Sequence, residues 1–422
     1  MSENNKIKLI KAREILDSRG FPTVEVELIT NLGSFFSSVP SGASKGKYEA
    51  IEIRDNEKRY QGRGVLKAVN NVNKIIGPKL KGEDVVKQKK IDEFLIKLDG
   101  TKDKSRLGAN VILPVSMAVS RASAFAKNIS LYEHIFQLYS KVGSNPILNI
   151  KLPTPCFNVI NGGAHAGNEL DFQEFMIVPQ NNSFSENLRI GSEIYQTLKE
   201  ILKKKFGKLA TNLGDEGGFA PQIKNPEEAI KLILEAAKKI GYQNKIKIII
   251  DVAASQFFLA KKYKTNFGNF NQEELVNYYL DLIKKYHILG LEDPFAEDDF
   301  RGWEKLKLKI EKIKLKTLVI GDDLLATNSE RIKMAKEKEF CNAAIIKINQ
   351  IGTITEAIES VKLAKSFNWK IIVSHRSGET CDDFISDFAV GISAHFVKFG
   401  APARGERVAK YNRLLKIEEE LL

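Results

Sequence analysis

Cysteine is scarce in this 422-residue chain: Cys156, Cys341 and Cys381 lie far apart and show no metal-binding spacing. This excludes a disulfide-stapled scaffold and reads as the reduced thiols of a cytoplasmic protein. The five histidines, His134, His165, His287, His375 and His395, contain no His-x-His pair. A metal-dependent hydrolase barrel built on that pair is therefore not expected. No apolar run approaches the ~20 residues that span a bilayer. The opening MSENNKIKLIK lacks the apolar core of a secretory signal. There is no internal repeat, no low-complexity tail and no basic groove interleaved with aromatics. The expectation is a cytoplasmic protein without a membrane or nucleic-acid partner.

What the chain does have is length and charge. Its length exceeds one average domain, and an apolar fraction of 43% can fill a sizeable core. The formal charge of +12 is compatible with an anionic partner. Its visible clusters, 203–205 and KLKLKIEKIKLK at 305–316, read as solvated helix faces. A small anionic substrate would also need local positive charge.

Residues 1–40 read as strands, with TVEVELIT at 23–30 alternating at period two. SGASKG at 41–46 is a Ser/Gly loop expected to be mobile. Helical patterns follow at 62–76, 84–98, 108–128 and 130–140, with Pro114 either starting the third helix or kinking it. Residues 1–140 thus describe a small α+β domain of three strands and then helices. Residues 141–150, rich in Gly, Asn and Pro, read as a linker. From 151 to 422 strands and helices alternate, the pattern of a (β/α) barrel.

Six apolar runs in this second half each end on an ionisable residue: Asp251, Glu292, Asp322, Lys347, His375 and Lys398. Successive end residues stand 23 to 41 positions apart. A strand, crossover helix and turns take ~30 residues, somewhat fewer when compact. The runs therefore read as successive parallel strands buried on both faces. Strand C-terminal ends meet on the active face of such a barrel, so the six residues should share one pocket.

Asp251, Glu292 and Asp322 supply hard oxygen ligands of the kind that suit Mg²⁺. The alternative for any single one is capping of the following helix. Lys347 ends an otherwise apolar strand, where nearby cations would depress its pKa toward that of a useful base. It could instead be a structural partner for Asp322 or Glu292. Lys398 and the run His375-Arg376-Ser377 suit phosphate or carboxylate oxygens. NGGAHAG at 161–167 and GDEGG at 214–218 present His165 and Glu216 in tight loops, and Gln173-Glu174 lies on an apolar segment.

With these residues in view, the chain resembles the enolase family almost end to end. The likeness rests on LDSRGFPTVEVE (16–27), PSGASKG (40–46), LGANVIL (107–113), NVINGGAHAG (158–167), QEFMIVP (173–179) and GDEGGFAP (214–221). It continues through LEDPFAEDD (291–299), GDDLLATN (321–328), KINQIGT (347–353), SHRSGET (374–380) and GAPARGERVAKYN (400–412). The resemblance implies a small N-terminal α+β domain on a modified eightfold barrel that begins ββαα. It implies dehydration of 2-phosphoglycerate to phosphoenolpyruvate with two Mg²⁺ ions. A lysine base with one or two Mg²⁺ is the general pattern of such sites.

By the same resemblance Lys347 takes the C2 proton, and Glu216, supported by Glu174, helps the C3 hydroxyl leave. His165 and Gln173 face the substrate. Asp251, Glu292 and Asp322 hold one metal, and Ser44 a second. Arg376 and Ser377 take the phosphate, His375 lines the pocket, and Lys398 faces the carboxylate. The family forms dimers or octamers of dimers, and its cross-dimer pairs map to Arg13 with Glu406 and Glu25 with Lys416. Departures are Lys45 for Thr, Pro114 for Gly, Gln256 for an acid and Phe399 for Thr. The K-x-K pair typical of other carboxylate lyases and racemases with this fold is missing, because that segment reads FQEFMIV.

Overall fold

A computed structural model describes residues 3–43, 46–140 and 151–422. Ser44, Lys45 and the predicted linker 141–150 fall outside the described residues. Leu9–Leu16 (β1), Pro22–Ile29 (β2) and Ser34–Ser38 (β3) form an antiparallel sheet in chain order. The alternation in β2 buries Val24, Val26 and Leu28 and turns Glu25 and Glu27 outward. Gln88–Asp99 (α1), Ala109–Ala126 (α2) and Leu131–Tyr139 (α3) follow.

Two expectations change in detail. The helix expected over 62–76 begins at Leu66 and is wound as a π-turn over Asn71–Ile76. There Asn73 holds the backbone N–H of Ala12 on β1 at 2.7 Å. Of the two readings for Pro114, a helix start is excluded, because α2 begins at Ala109 and runs through it. By length and apolarity α2 would suffice to cross a membrane, but 83% of it is buried inside the fold, as befits a core helix.

The second half closes into a barrel. A strand in two pieces, Thr154–Pro155 and Phe157–Asn161 (β4), pairs antiparallel with Glu174–Pro179 (β5). Phe184–Phe206 (α4) and Pro226–Lys239 (α5) then lead to Ile246–Asp251 (β6), antiparallel to β5. From there helices and parallel strands alternate. They run Gln272–Tyr286 (α6), Gly290–Glu292 (β7), Phe300–Lys312 (α7), Leu318–Gly321 (β8), Ser329–Glu337 (α8) and Ala343–Ile346 (β9). Ile354–Ser366 (α9), Lys370–Ser374 (β10), Phe384–Gly391 (α10), Phe396–Lys398 (β11) and Gly405–Leu421 (α11) complete the chain.

Parallel pairing of β11 with Thr154–Pro155 closes the eight-stranded ring. All six runs singled out in the sequence are strands, and each ends at or one residue before its ionisable residue. The ring interior packs Met176, Val178, Ile249, Ile320, Ile345 and Ile372, while a larger apolar layer joins strands, helices and the N-terminal sheet. Asp92 of α1 takes the Thr355 backbone N–H at 3.1 Å, at the start of α9, and buried Lys104 pairs with Glu356 at 2.8 Å. These contacts seat the N-terminal region on the barrel and bring Glu49 to its mouth.

Candidate active site

Strand register builds the site. Glu174 on β5 lies opposite Asp251 on β6, and Asp251 opposite Glu292 on β7. Residues in register on adjacent strands face the same side, so three buried carboxylates form a row. Lys398, at the end of β11, reaches across to all three: Glu292 at 2.8 Å, Asp251 at 2.9 Å and Glu174 at 3.1 Å. Burial pushes the Lys398 ammonium down, but these acids outweigh it and hold the ammonium well above lysine's usual range. A charge buried this deeply persists only when paired.

Around the same pocket stand His165, Gln173, Glu174, Glu216, Asp251, Asp322, Lys347, His375, Arg376, Ser377 and Lys398. Eleven residues named from sequence thus converge. Glu292, expected in the same pocket, does not line it, but its carboxylate accepts from Lys398 at 2.8 Å. Ser44 lies outside the described residues, although Gly42 and Ala43 beside it reach the pocket wall.

Lys347 forms an ion pair with Asp322. Burial pushes its ammonium down, yet the Asp322 carboxylate raises it above the usual lysine range. The expectation that neighbouring cations would lower it is therefore reversed in this structure. Arg376 and Lys398 do pull in that direction, but the touching carboxylate wins.

Glu174, Glu216 and His165 bring ligand atoms within 4.8 Å of one another. Burial pushes the Glu174 carboxyl well above the usual carboxylate range, and the Glu216 charge adds to this. Burial drives Glu216 upward too, but the N–H groups and ammonium around it hold it well below. Asn158 donates to Glu216 at 3.1 Å, and His375 Nε2 approaches at 3.3 Å. Burial lowers His375 to about 3, so its ring is neutral. Arg407, which has no acceptor, donates to His375 Nδ1 at 2.6 Å, which leaves the ring proton on Nε2, facing Glu216. The two carboxyls are thus pushed in opposite directions, Glu174 toward its protonated form and Glu216 toward its ionised form, which runs against the expectation that Glu216 itself carries the proton.

Asp251, Glu292 and Asp322 form an all-carboxylate donor set at the ends of β6–β8. Glu292 Oε2 is buried and accepts no hydrogen bond among the described residues. Every side chain in the proposed set ends in a carboxylate, the chemistry that suits Mg²⁺. The residues fit. Among the described residues, however, the acids whose oxygens lie within 4.8 Å of one another are Asp293, Asp322 and Asp323, and the expected trio Asp251, Glu292 and Asp322 is not drawn that close together. Asp293 accepts the backbone N–H groups of Asp322 at 2.9 Å and Asp323 at 2.7 Å, fixing the turn that presents Asp322.

A family model described as "Enolase, C-terminal TIM barrel domain" matches residues 149–422, and one described as "Enolase, N-terminal domain" matches residues 7–135. "Enolase B" of Dictyostelium discoideum is 54% identical over 98% of this chain and 95% of its own length. "Enolase 1" of Entamoeba histolytica is 49% identical over 98% and 96%, and "Enolase" of Eimeria tenella is 50% identical over 98% and 95%. The chain belongs to the enolase family. It is accordingly an enzyme of the lyase class, and the family's reaction is dehydration of 2-phosphoglycerate in glycolysis.

Around this enolase-family pocket several side chains went unnoticed in the sequence. Glu49 grips Arg376 through two oxygens, at 2.8 and 3.1 Å. Gln350 donates to Asp322 at 3.1 Å. Asn158, Asp293 and Arg407 orient Glu216, Asp322 and His375 as described above. All five act through a residue already named. Four of them were marked only by their place inside matched strings, such as NVINGG for Asn158, and Glu49 lies in none of those strings.

Proposed function

We propose that the protein interconverts 2-phospho-D-glycerate with phosphoenolpyruvate and water, in the cytoplasm, with two Mg²⁺ ions. One observation carries the reading: the proposed base and acid stand on opposite walls of one pocket. Lys347 follows β9, while Glu174, which stands within 4.8 Å of the acid Glu216 and supports it, begins β5, four strands away around the eight-stranded ring. Lys347 takes the C2 proton on one side. Glu216, with Glu174 in support, delivers a proton to the C3 hydroxyl on the other. The C2–H and C3–O bonds break, a C2=C3 double bond forms, and water leaves.

Arg376 and Ser377 hold the phosphate, Lys398 the carboxylate, and His165, Gln173 and His375 the remaining polar atoms. Asp251, Glu292 and Asp322 would hold one Mg²⁺ and Ser44 would help hold the second. Bound there, the metal would supply positive charge where the substrate carboxylate becomes more negative. It would also draw on the Asp322 charge that now keeps Lys347 protonated. A homodimer, or an octamer of dimers, is supported by Leu9, Leu16 and Phe36, which stand exposed on the N-terminal sheet. Within one chain Arg13 instead pairs with Glu25 and Glu406 with Arg404, so dimerisation would exchange those partners.

The deciding measurement is ultraviolet absorbance of phosphoenolpyruvate formed from 2-phosphoglycerate, with and without Mg²⁺. Metal-dependent product is expected, and no product under either condition overturns the reading. A light-scattering mass near one chain would remove the dimer.

A further inference from the structure

The turns that lead from each barrel helix to the next strand lie at the strands' N-terminal ends, opposite the catalytic mouth. Five of these segments, 238–247, 284–290, 309–318, 336–343 and 365–371, hold fourteen lysines, three glutamates and no arginine or aspartate. Their balance of +11 nearly equals the formal +12 of the whole chain. The excess charge therefore sits where it cannot line the pocket for an anionic substrate.

Cations are favoured at helix C-termini, which accounts for residues such as Lys284 and Lys285 in the last turn of α6. That account does not reach Lys245, Lys247, Lys316 and Lys370, which lie beyond helix ends or begin strands. Of the fourteen, only Lys285 and Lys309 have carboxylate partners among the described residues, Glu227 and Glu273. Between Lys247, Lys284 and Lys316 lies a groove of about 490 Å³ floored by Ile283, Ile288, Leu289 and Leu315. Ile313, on the turn that supplies Leu315, is 42% exposed.

We propose that this end of the barrel is a peripheral docking surface for an anionic lipid bilayer. Three observations favour lipid over nucleic acid. Lysine and not arginine supplies the positive charge of these turns, so the planar fork that reads phosphates or bases through two bonds is missing. The Phe, Tyr and Trp residues of these turns are buried or half-buried, which leaves only the His287 ring exposed for stacking bases. The groove joins cations to an apolar floor, matching a headgroup that is anionic at its tip and apolar behind. No spanning segment is needed, and the catalytic mouth faces away from the lipid and stays open. The inference rests on the barrel topology and not on the proposed reaction.

Sedimentation with vesicles tests it. The full-length protein should bind phosphatidylcholine vesicles carrying about one-third phosphatidylserine, ignore phosphatidylcholine alone, and detach as salt shortens the Debye length. Basic residues near such a surface each contribute about fivefold in partitioning, so K247Q/K316Q/K370Q should bind about 100-fold more weakly. Its turnover should be unchanged, which also shows that it folds. If it does not fold, K316Q alone should lose about fivefold. Failure to bind the phosphatidylserine vesicles, or equal binding by a folded variant, overturns the proposal. So does retention on a single-stranded RNA oligonucleotide with the vesicles ignored.

Discussion

At the barrel mouth the Lys347 and Lys398 side chains are 14% and 3% exposed, and each grips carboxylates. At the opposite end Lys247, Lys316 and Lys370 stand in water with no carboxylate partner among the described residues. One residue type serves two physical roles. An exposed ammonium costs little to keep, so the far end tolerates many. A buried ammonium stripped of water is costly unless its neighbours are arranged around it. The mouth carries that cost at several positions, and its residues are organised for chemistry rather than for stability.

The largest expected effect breaks this comparison at its centre. Replacing Lys347 with Ala should lower turnover about a thousandfold, within the span general-base groups contribute. Mg²⁺ binding, read by calorimetry, should survive because Asp251, Glu292 and Asp322 remain. Turnover within tenfold of the parent would remove Lys347 as the base. K316Q, at the far end, should leave turnover unchanged.

Stability gives the next contrast. Glu49→Ala leaves the buried Arg376 without its carboxylate, and breaking such a pair costs about 3 kcal/mol or more. Lys285→Ala removes an exposed pair with Glu227 and should cost far less. Urea unfolding of both variants decides between them. Equal losses would mean that burial at the mouth does not set the energetics.

How much of this could be read in advance follows the same division. The six strand ends were legible because a run such as IKIII stopping at Asp251 combines two local signals: a buried strand, then a charge. Glu216 and His165 lie on no such strand end and were marked by the Gly-rich loops around them. Glu49 carries no local signal. Its meaning lies in Arg376, 327 positions away, a pairing that exists only once the N-terminal region is seated on the barrel. The protonation of Lys347 also escaped, because its sign depends on whether Asp322 or the surrounding cations stand closer. The lysine excess was visible as composition, but its concentration at one end required the topology.

Acid titration sharpens the comparison through one histidine at each end. Burial lowers His375 at the mouth to about 3 and, helped by Lys370 and Lys365, lowers His395 at the far end to about 4. The unfolded value is near 6.5. Between about 4 and 6.5 the unfolded chain therefore binds the proton that folded His395 refuses, so stability falls as pH drops through that window. Asn at 395 can still offer an oxygen where His395 Nδ1 accepts the Ile371 N–H. His395→Asn should flatten the pH dependence of unfolding by under about 1 kcal/mol per pH unit, since the ring is partly solvated. An unchanged slope would mean that His395 titrates normally.

The smallest effect isolates the far end's own field. Lys370 is exposed and acts on His395 through water, so salt should screen its influence. Lys370→Gln should raise the His395 pKa by a few tenths, read from the NMR titration of its ring proton. Added salt should do the same in the parent and little in the variant. His375 makes the contrast, because it is enclosed by Glu216 and Arg407 and its depression comes first from burial. Salt should leave His375 nearly unmoved. If the two histidines respond alike, the lysines at the far end do not act as a shared field. Their charge would then be too diffuse to draw that end of the barrel to a surface.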